Sequence, residues 1–344
     1  MKALIIGGSG LISTAITQLL VERGDEVSLF NRGLSPLRGL APARVVIGDR
    51  NDEAALGSAL KRVKPDAVID MMAFAPSQAE ALLRASAGHT AQLVFCSSVC
   101  VYGGPLTQLP ATDDEPHRPV GNYGRNKSAI EALLLGSESA ARHVTVIRPS
   151  FSTGEGATAS GLVFDDSTVA RLRQGLPVVV MDDGKAAWAI AHVSDVAGAF
   201  VGALGNPLAY GQAYHATSDE RTDWNGVFAA LAAAAGAPAP KLVPIPSDWL
   251  YAQAPRRSVG IEFIYKYPSV FDNRKAARDL GFKTQVSLVE CFRRQIQWME
   301  AQGLIKAPDQ EAVQTELIAA WQGKRDVRPG AFEDRNPWGN STQG

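Results

Sequence analysis

Residues 1–24 read MKALIIGGSGLISTAITQLLVERG, and this stretch decides the fold. Ala3, Leu4, Ile5 and Ile6 form an apolar run too short for a helix and suited to a buried parallel strand. Gly7-Gly8-Ser9-Gly10 follows at once. A helix is predicted over 11–23, with Leu11, Ile12, Ala15, Ile16, Leu19 and Leu20 on one face and Gly24 as its stop. Strand, glycine turn and helix make an anion cradle: backbone N–H groups and the helix dipole face a phosphate, and glycines let it come close. A second strand over 26–30 completes the unit at the spacing of a dinucleotide-binding fold.

The pattern continues outward. A third strand (44–47) ends in Gly48-Asp49-Arg50, and a helix (51–63), a fourth strand (67–71) and a further helix (77–87) follow. A fifth strand (91–96) runs into Ser97-Ser98-Val99-Cys100-Val101-Tyr102-Gly103. After a Pro- and Asp-rich loop (105–122), Tyr123 to Lys127 opens a helix to 135, and a sixth strand (144–147) ends at Arg148-Pro149. Strands alternating with helices imply an α/β fold with a Rossmann-type doubly wound parallel sheet, its ligands outside the strand C-termini.

Beyond 149 the pattern loosens into a smaller C-terminal substrate-binding lobe. It holds a helix (168–174), a strand (178–181), a helix after His192 to about 204, and an alanine-rich helix (224–235). Pro244 and Pro246 read as a turn, and Phe263, Tyr265 and Tyr267 alternate as strand-packing residues do. Helices over 273–280 and 288–302 and one more helical piece follow. The expected division is a dinucleotide domain at 1–149 with 188–217 returning to it, a lobe at 150–187 and 218–305, and an extension at 306–344 whose polar tail from Gly330 is poorly ordered.

Composition excludes several classes. With 34 basic and 35 acidic residues, the net charge of -1 points to neither nucleic acid nor an anionic membrane as a partner. Three cysteines (Cys96, Cys100, Cys291) make no disulfide framework. No run of eighteen apolar residues or targeting pattern stands in the sequence, so a soluble, cytoplasmic protein is expected. The five histidines lack ligand-like spacing and predict no metal site, and His192 reads as a hydrogen-bonded residue at the lobe junction.

The chemistry lies at the strand ends. Tyr123 and Lys127 are four apart and share a helix face, where an ammonium lowers a phenol's pKa towards proton transfer at neutral pH. Ser98, just past the fifth strand, supplies a hydroxyl to the same point. Asn31-Arg32-Gly33 ends the second strand, where an acid binds a ribose 2′-hydroxyl and Arg accommodates a 2′-phosphate. With the acid missing, and Arg32 present and Arg38 nearby, NADP is favoured over NAD. Cys100 reads as a small packing residue on a buried strand.

Together these motifs resemble the extended short-chain dehydrogenase/reductase superfamily, the NAD(P)-dependent epimerase/dehydratase group, over residues 1 to 302. They are Gly7-Gly8-Ser9-Gly10-Leu11-Ile12, Asp49, Ser97-Ser98 with Val101-Tyr102-Gly103, Tyr123 with Lys127, Arg148-Pro149, and His192-Val193-Ser194-Asp195. Asn31-Arg32-Gly33 and Gly48-Asp49-Arg50 also look like a branch of chloroplast stem-loop-binding relatives. The resemblance implies Tyr123 as general acid/base, Lys127 on the nicotinamide ribose, and Ser98 on the reacting oxygen. It further implies Asp49 at the adenine amino group with Arg50 stacked beside it, Met71, Met72 and Ala73 lining the cofactor, and Pro149 and Ser150 bordering the nicotinamide. A homodimer is expected by the same likeness.

Three departures narrow the function. Ser13 replaces the third turn glycine, and its small side chain should still permit helix–strand packing. Val99 and Cys100 stand where dehydratases carry Asp-Glu and decarboxylases a Glu, which disfavours elimination and decarboxylation. Phe151 and Trp188 replace the Asn and Arg that serve a sugar nucleotide, so a diphosphate loses a donor and a bidentate contact while a ring gains flat apolar surface. Arg256 or Arg257 would have to restore the charge. The expected function is reversible hydride transfer at a carbinol or carbonyl of a small hydroxylated, sugar-like or ring substrate without a nucleotide diphosphate. The alternatives are an epimerase with tightly bound NAD and, in another class, a non-catalytic RNA-binding or redox-sensing module.

Overall fold

The computed structural model of the chain describes residues 1–34, 43–157 and 165–324, with 326 and 330. Arg38 and the polar tail beyond Gly330 lie outside the described residues. The strands β1 (Lys2–Ile6), β2 (Glu26–Asn31), β3 (Arg44–Ile47), β4 (Ala67–Asp70), β5 (Gln92–Cys96) and β6 (His143–Pro149) are joined by a seventh, Gln212–Ala216. The order is the seventh strand, β6, β5, β4, β1, β2, β3, and every ladder in it is parallel. Helices α1 (Leu11–Glu22), α2 (Glu53–Val63), α3 (Pro76–Ser86) and α4 (Gly121–Leu135) supply the crossovers.

The apolar strand runs explain why this sheet is covered on both faces. Ala3 and Ile5 of β1 join one core with Ile16, Leu20 and Phe200, whereas Leu4 and Ile6 join another with Phe30, Leu56 and Ile130. Chain order reverses between β1 and β4, so the crevice outside their C-termini is the topological switch point at which such sheets bind ligands. Asp52 caps α2 by accepting from Ala55 N–H at 3.0 Å.

A third core, outside the sheet, holds Val178, Val180, Trp188, Trp224, Phe228, Ile245, Phe292 and Ile296. Here the structure departs from two expectations. Pro244 lies in a strand, Leu242–Ile245, paired in parallel with Val178–Met181. A two-stranded ladder leaves one side of each strand unpaired, which tolerates a residue without an N–H. The aromatic stretch forms no strand: Ile261–Tyr265 is a π-helical turn, held where Trp224 Nε1 donates to Tyr265 O at 2.9 Å. Its alternation reflects that tertiary anchor rather than a pleat.

Candidate active site

The glycine turn takes its shape from backbone conformations that side chains disfavour. Gly7 (φ 110) and Gly8 (φ 83) both lie in the left-handed region, and a Cβ on Gly7 would stand 2.9 Å from Met72 Cγ. Asn31 braces the turn from β2: its Nδ2 donates to Gly7 O at 3.1 Å and its Oδ1 accepts from Gly33 N–H at 2.8 Å. Ser13 does more than fit where a glycine was expected. Its Oγ accepts from Gly10 N–H at 2.9 Å and donates to Gly10 O at 3.1 Å. The first N–H groups of α1 have no partner within the helix and open on a cavity of about 1360 Å³.

That cavity runs across the switch point. Gly7, Ser9, Gly10, Leu11 and Ile12 line it with Asn31, exposed Arg32, Asp49, Arg50, Met71 and Met72. Asp70, which sequence reasoning missed, ends β4 and is buried beneath them. Its Oδ1 accepts from Met72 N–H at 2.8 Å and its Oδ2 pairs with Arg50 Nη2. Arg50 therefore has one nitrogen committed inward, while Nε and Nη1 have no protein partner. An acid closing a strand at the switch point was a signal available in the sequence. The positive φ values and the unpartnered Arg50 nitrogens fit a dinucleotide.

At the centre of the cavity three expected residues meet. Ser98 follows β5 and caps a short 3₁₀ turn (Val99–Val101), with its Oγ 3.0 Å from Cys100 Sγ. Cys100 lies in this turn rather than on a strand, half-buried and lining the cavity. Tyr123 and Lys127 project from α4. Lys127 is 2% exposed; its Nζ donates to Cys96 O at 2.8 Å and Ala73 O at 3.0 Å, and lies 5.8 Å from the Tyr123 ring centre.

The protonation balance differs from the sequence expectation. Burial pushes the Tyr123 phenol well above its ordinary value, the Cys100 and Cys96 thiols act the same way, and its bond to Ser98 opposes them. Burial also holds the Lys127 ammonium below its ordinary range, against the pull of Cys96 and Asp70. The ammonium is engaged by two carbonyls, and desolvation outweighs any lowering of the phenol.

Ser150, Phe151 and Trp188 also line the cavity, whereas Ala73 and Pro149 are buried and do not. Phe151 and Trp188 both set edges against Tyr265, at 6.1 and 5.4 Å between ring centres, and Trp188 stacks on Trp224 at 4.8 Å. Arg256 corrects the sequence assignment: it is exposed and stands off the cavity wall. Arg257 is buried against Glu311, its Nη1 3.3 Å from Oε1. A charged partner inside the lobe holds it, so it restores no cation to the site. His192 accepts from Ser194 N–H at 3.2 Å and lies 3.1 Å from Glu155 Oε2.

Beneath the site is a second polar cluster that sequence reasoning missed. Arg148 makes a bidentate pair with Glu131 of α4 (Nη2 to Oε2 2.6 Å), and its Nη1 donates to Tyr102 OH at 2.7 Å. Tyr102 OH meets His215 Nε2 at 2.7 Å, and His215 Nδ1 faces Asp272 O at 3.1 Å. These bonds tie α4 to β6, the seventh strand and the lobe. Motif residues Arg148 and Tyr102 thus fix the frame that carries Tyr123.

Comparison with known proteins agrees with this geometry. The model of the NAD dependent epimerase/dehydratase family matches residues 3–216. A 2'-dehydrokanamycin reductase from Streptomyces kanamyceticus is 29% identical over 255 residues, 74% of this chain and 72% of its own. The chloroplast stem-loop binding protein of 41 kDa b of Arabidopsis thaliana is 27% identical over 303 residues, 84% of this chain and 76% of its own. Among solved structures, a UDP-glucose-4-epimerase from Stenotrophomonas maltophila with bound NAD and formylated UDP-arabinopyranose superposes with a TM-score of 0.74. At 22% identity it covers 88% of this chain and 99% of its own, and shows the shared fold. Among the described residues no helix is long and apolar enough to cross a membrane.

Proposed function

Because the chain belongs to the NAD-dependent epimerase/dehydratase family, we propose that it catalyses reversible hydride transfer at a carbinol or carbonyl carbon, with Tyr123 moving the proton. The observation that carries this reading is that Ser98, Tyr123 and Lys127 open on the same cavity as the glycine turn. A nicotinamide dinucleotide held by residues 7–12, Asp49 and Arg50 supplies or accepts the hydride. The Ser98 hydroxyl binds the reacting oxygen, and Tyr123 gives that oxygen a proton in reduction and takes it back in oxidation. Lys127 holds the ribose side and, as an ammonium, favours the phenolate as it forms.

Net reduction with an exchangeable cofactor is the favoured direction. No acid stands at the end of the second strand to bind a ribose 2′-hydroxyl, exposed Arg32 lines the cavity, and one relative is named a reductase. NADP is the favoured cofactor. Asn31 is committed to the glycine turn, no acid stands at that strand end, and exposed Arg32 lines the cavity. The substrate is a small ring compound without a nucleotide diphosphate, since Phe151 and Trp188 face the cavity and Arg257 is paired to Glu311. The chain works as a homodimer in this reading, by family likeness.

The test is to release and identify any nicotinamide from the purified protein, then measure NADPH and NADH binding to the wild type and to Tyr123→Phe. An empty protein that prefers NADPH, with Tyr123→Phe binding it normally but inactive, supports the proposal. Tightly retained NAD favours epimerisation, the activity named for several relatives. RNA affinity that falls with salt and survives Tyr123→Phe favours a binding role, as the name of the stem-loop relative suggests.

A further inference from the structure

The lobe end of the cavity has a chemistry of its own. It extends from Tyr123 past Phe151 into the third hydrophobic core and opens between three helices, Thr168–Arg173, Trp224–Ala234 and Leu288–Ala301. Val169, Leu231, Ile264, Phe292, Ile296 and Met299 form its wall. Phe292, Ile296 and Met299 fall at i, i+4 and i+7, so one stripe of the last helix lines it.

Among the described residues no charged side chain lines this end. The only charged side chains on the cavity wall, among the described residues, are Arg32, Asp49 and Arg50 at the cofactor end and Lys127 beside Tyr123 at the centre. Deep in the pouch, between the three helices, the polar groups of Gln295 and Thr168 are paired within the chain, whereas Ser150 Oγ and Trp188 Nε1, nearer the reacting carbon, have no partner among the described residues. Gln295 Oε1 accepts from Thr153 Oγ1 at 2.8 Å, and Thr168 Oγ1 accepts from Gln314 Nε2 at 3.0 Å. A substrate charge seated here would lose its hydration with no opposite charge to replace it, and a hydroxyl reaching past Trp188 to the Gln295 and Thr168 groups would compete with an existing bond.

Resting on the hydride-transfer reading above, we infer that the substrate is an uncharged ring ketone or carbinol whose body beyond the reacting carbon is apolar. Neither a phosphorylated sugar nor a polycation suits the pouch. An apolar flank buried there gains roughly fourfold in affinity per methylene. In the reducing direction the carbonyl carbon receives a hydride from NADPH, the oxygen receives the Tyr123 proton, and NADP⁺ and the carbinol leave. Water then returns the proton to Tyr123.

Three cyclohexanone probes separate the possibilities, each tested with wild-type protein and both reduced cofactors. They are 2-decalone (apolar), scyllo-inosose (polyhydroxylated) and 4-oxocyclohexanecarboxylate (charged). Turnover is read as cofactor oxidation and binding as quenching of tryptophan fluorescence. The inference expects kcat/KM and affinity for 2-decalone at least about tenfold above both others. Preference for the inosose or the carboxylate overturns the apolar pouch and leaves hydride transfer standing. Tight, selective 2-decalone binding with no ketone reduced supports the pouch and overturns the hydride reading. Met299→Gln, close to methionine in size, should lower 2-decalone efficiency several-fold without changing NADPH affinity, while Met299→Leu retains it. Equal losses with all three ketones would overturn the assignment of Met299 to the pouch.

Discussion

The two ends of the cavity are built from different materials. At the cofactor end the working groups are backbone N–H donors, glycines with positive φ and short polar braces such as Asn31 to Gly7 and Asp70 to Met72. At the lobe end they are apolar side chains from three helices far apart in the chain. A backbone site is specified by conformation and tolerates little change of residue. A side-chain site is specified by volume and polarity, and can be rebuilt one residue at a time while the first end stays constant. Relatives of this chain are named for unlike substrates, a 2'-dehydrokanamycin reductase and a UDP-glucose 4-epimerase among them.

The largest expected effect falls where the two ends meet. Tyr123→Phe should lower kcat by about 10²–10⁴-fold and leave dinucleotide affinity within a factor of two, as steady-state kinetics and a binding titration would show. Retained activity would detach the chemistry from this junction. Gly7→Ala should strike the cofactor end alone. It forces a side chain to φ 110 against Met72 and should cost about 1–3 kcal/mol in denaturant unfolding, with NADPH binding weakened in parallel. A variant that binds normally would mean the turn relaxes at little cost.

Arg32→Ala sharpens the comparison further, with an expected loss of roughly tenfold in NADPH affinity and little change for NADH. Equal losses would remove Arg32 from the 2′-phosphate. The smallest effect concerns pH. Burial holds His215 and His192 below their ordinary 6.5. The unfolded chain therefore binds more protons than the folded one between those lowered values and 6.5, so stability is full above that pH and falls on acidification through the window. His215→Gln should flatten the fall measured by urea titrations across the window. An unchanged slope would place the acid sensitivity elsewhere.

This contrast also decides how much was legible in the sequence. Residues 1–24 carry their meaning contiguously, and the strand-tip residues Asp49 and Ser98 and the helix residue Tyr123 follow at family spacing, so the cofactor end and the α/β order read directly. The pouch did not. Phe292, Ile296 and Met299 have the period of any core-facing stripe, and only the packing of the lobe leaves a space beside them. Arg256 and Arg257 were indistinguishable in the sequence, and Glu311 draws one of them inward. The phenol's protonation depends on burial and on two carbonyls that hold Lys127, neither of which spacing encodes. Pro244 reads as a turn residue until its strand's place in a two-stranded ladder is known.

Ser13 has a consequence for cofactor binding. By closing on both the N–H and the carbonyl of Gly10, it ties off the turn before any phosphate arrives. Such a turn has little entropy left to lose on binding. It also offers the phosphate one N–H fewer than an open turn would. The two act in opposite directions: pre-ordering spares binding entropy while the lost N–H removes one contact to the phosphate, so Ser13 exchanges strength of contact for a seat that is already formed.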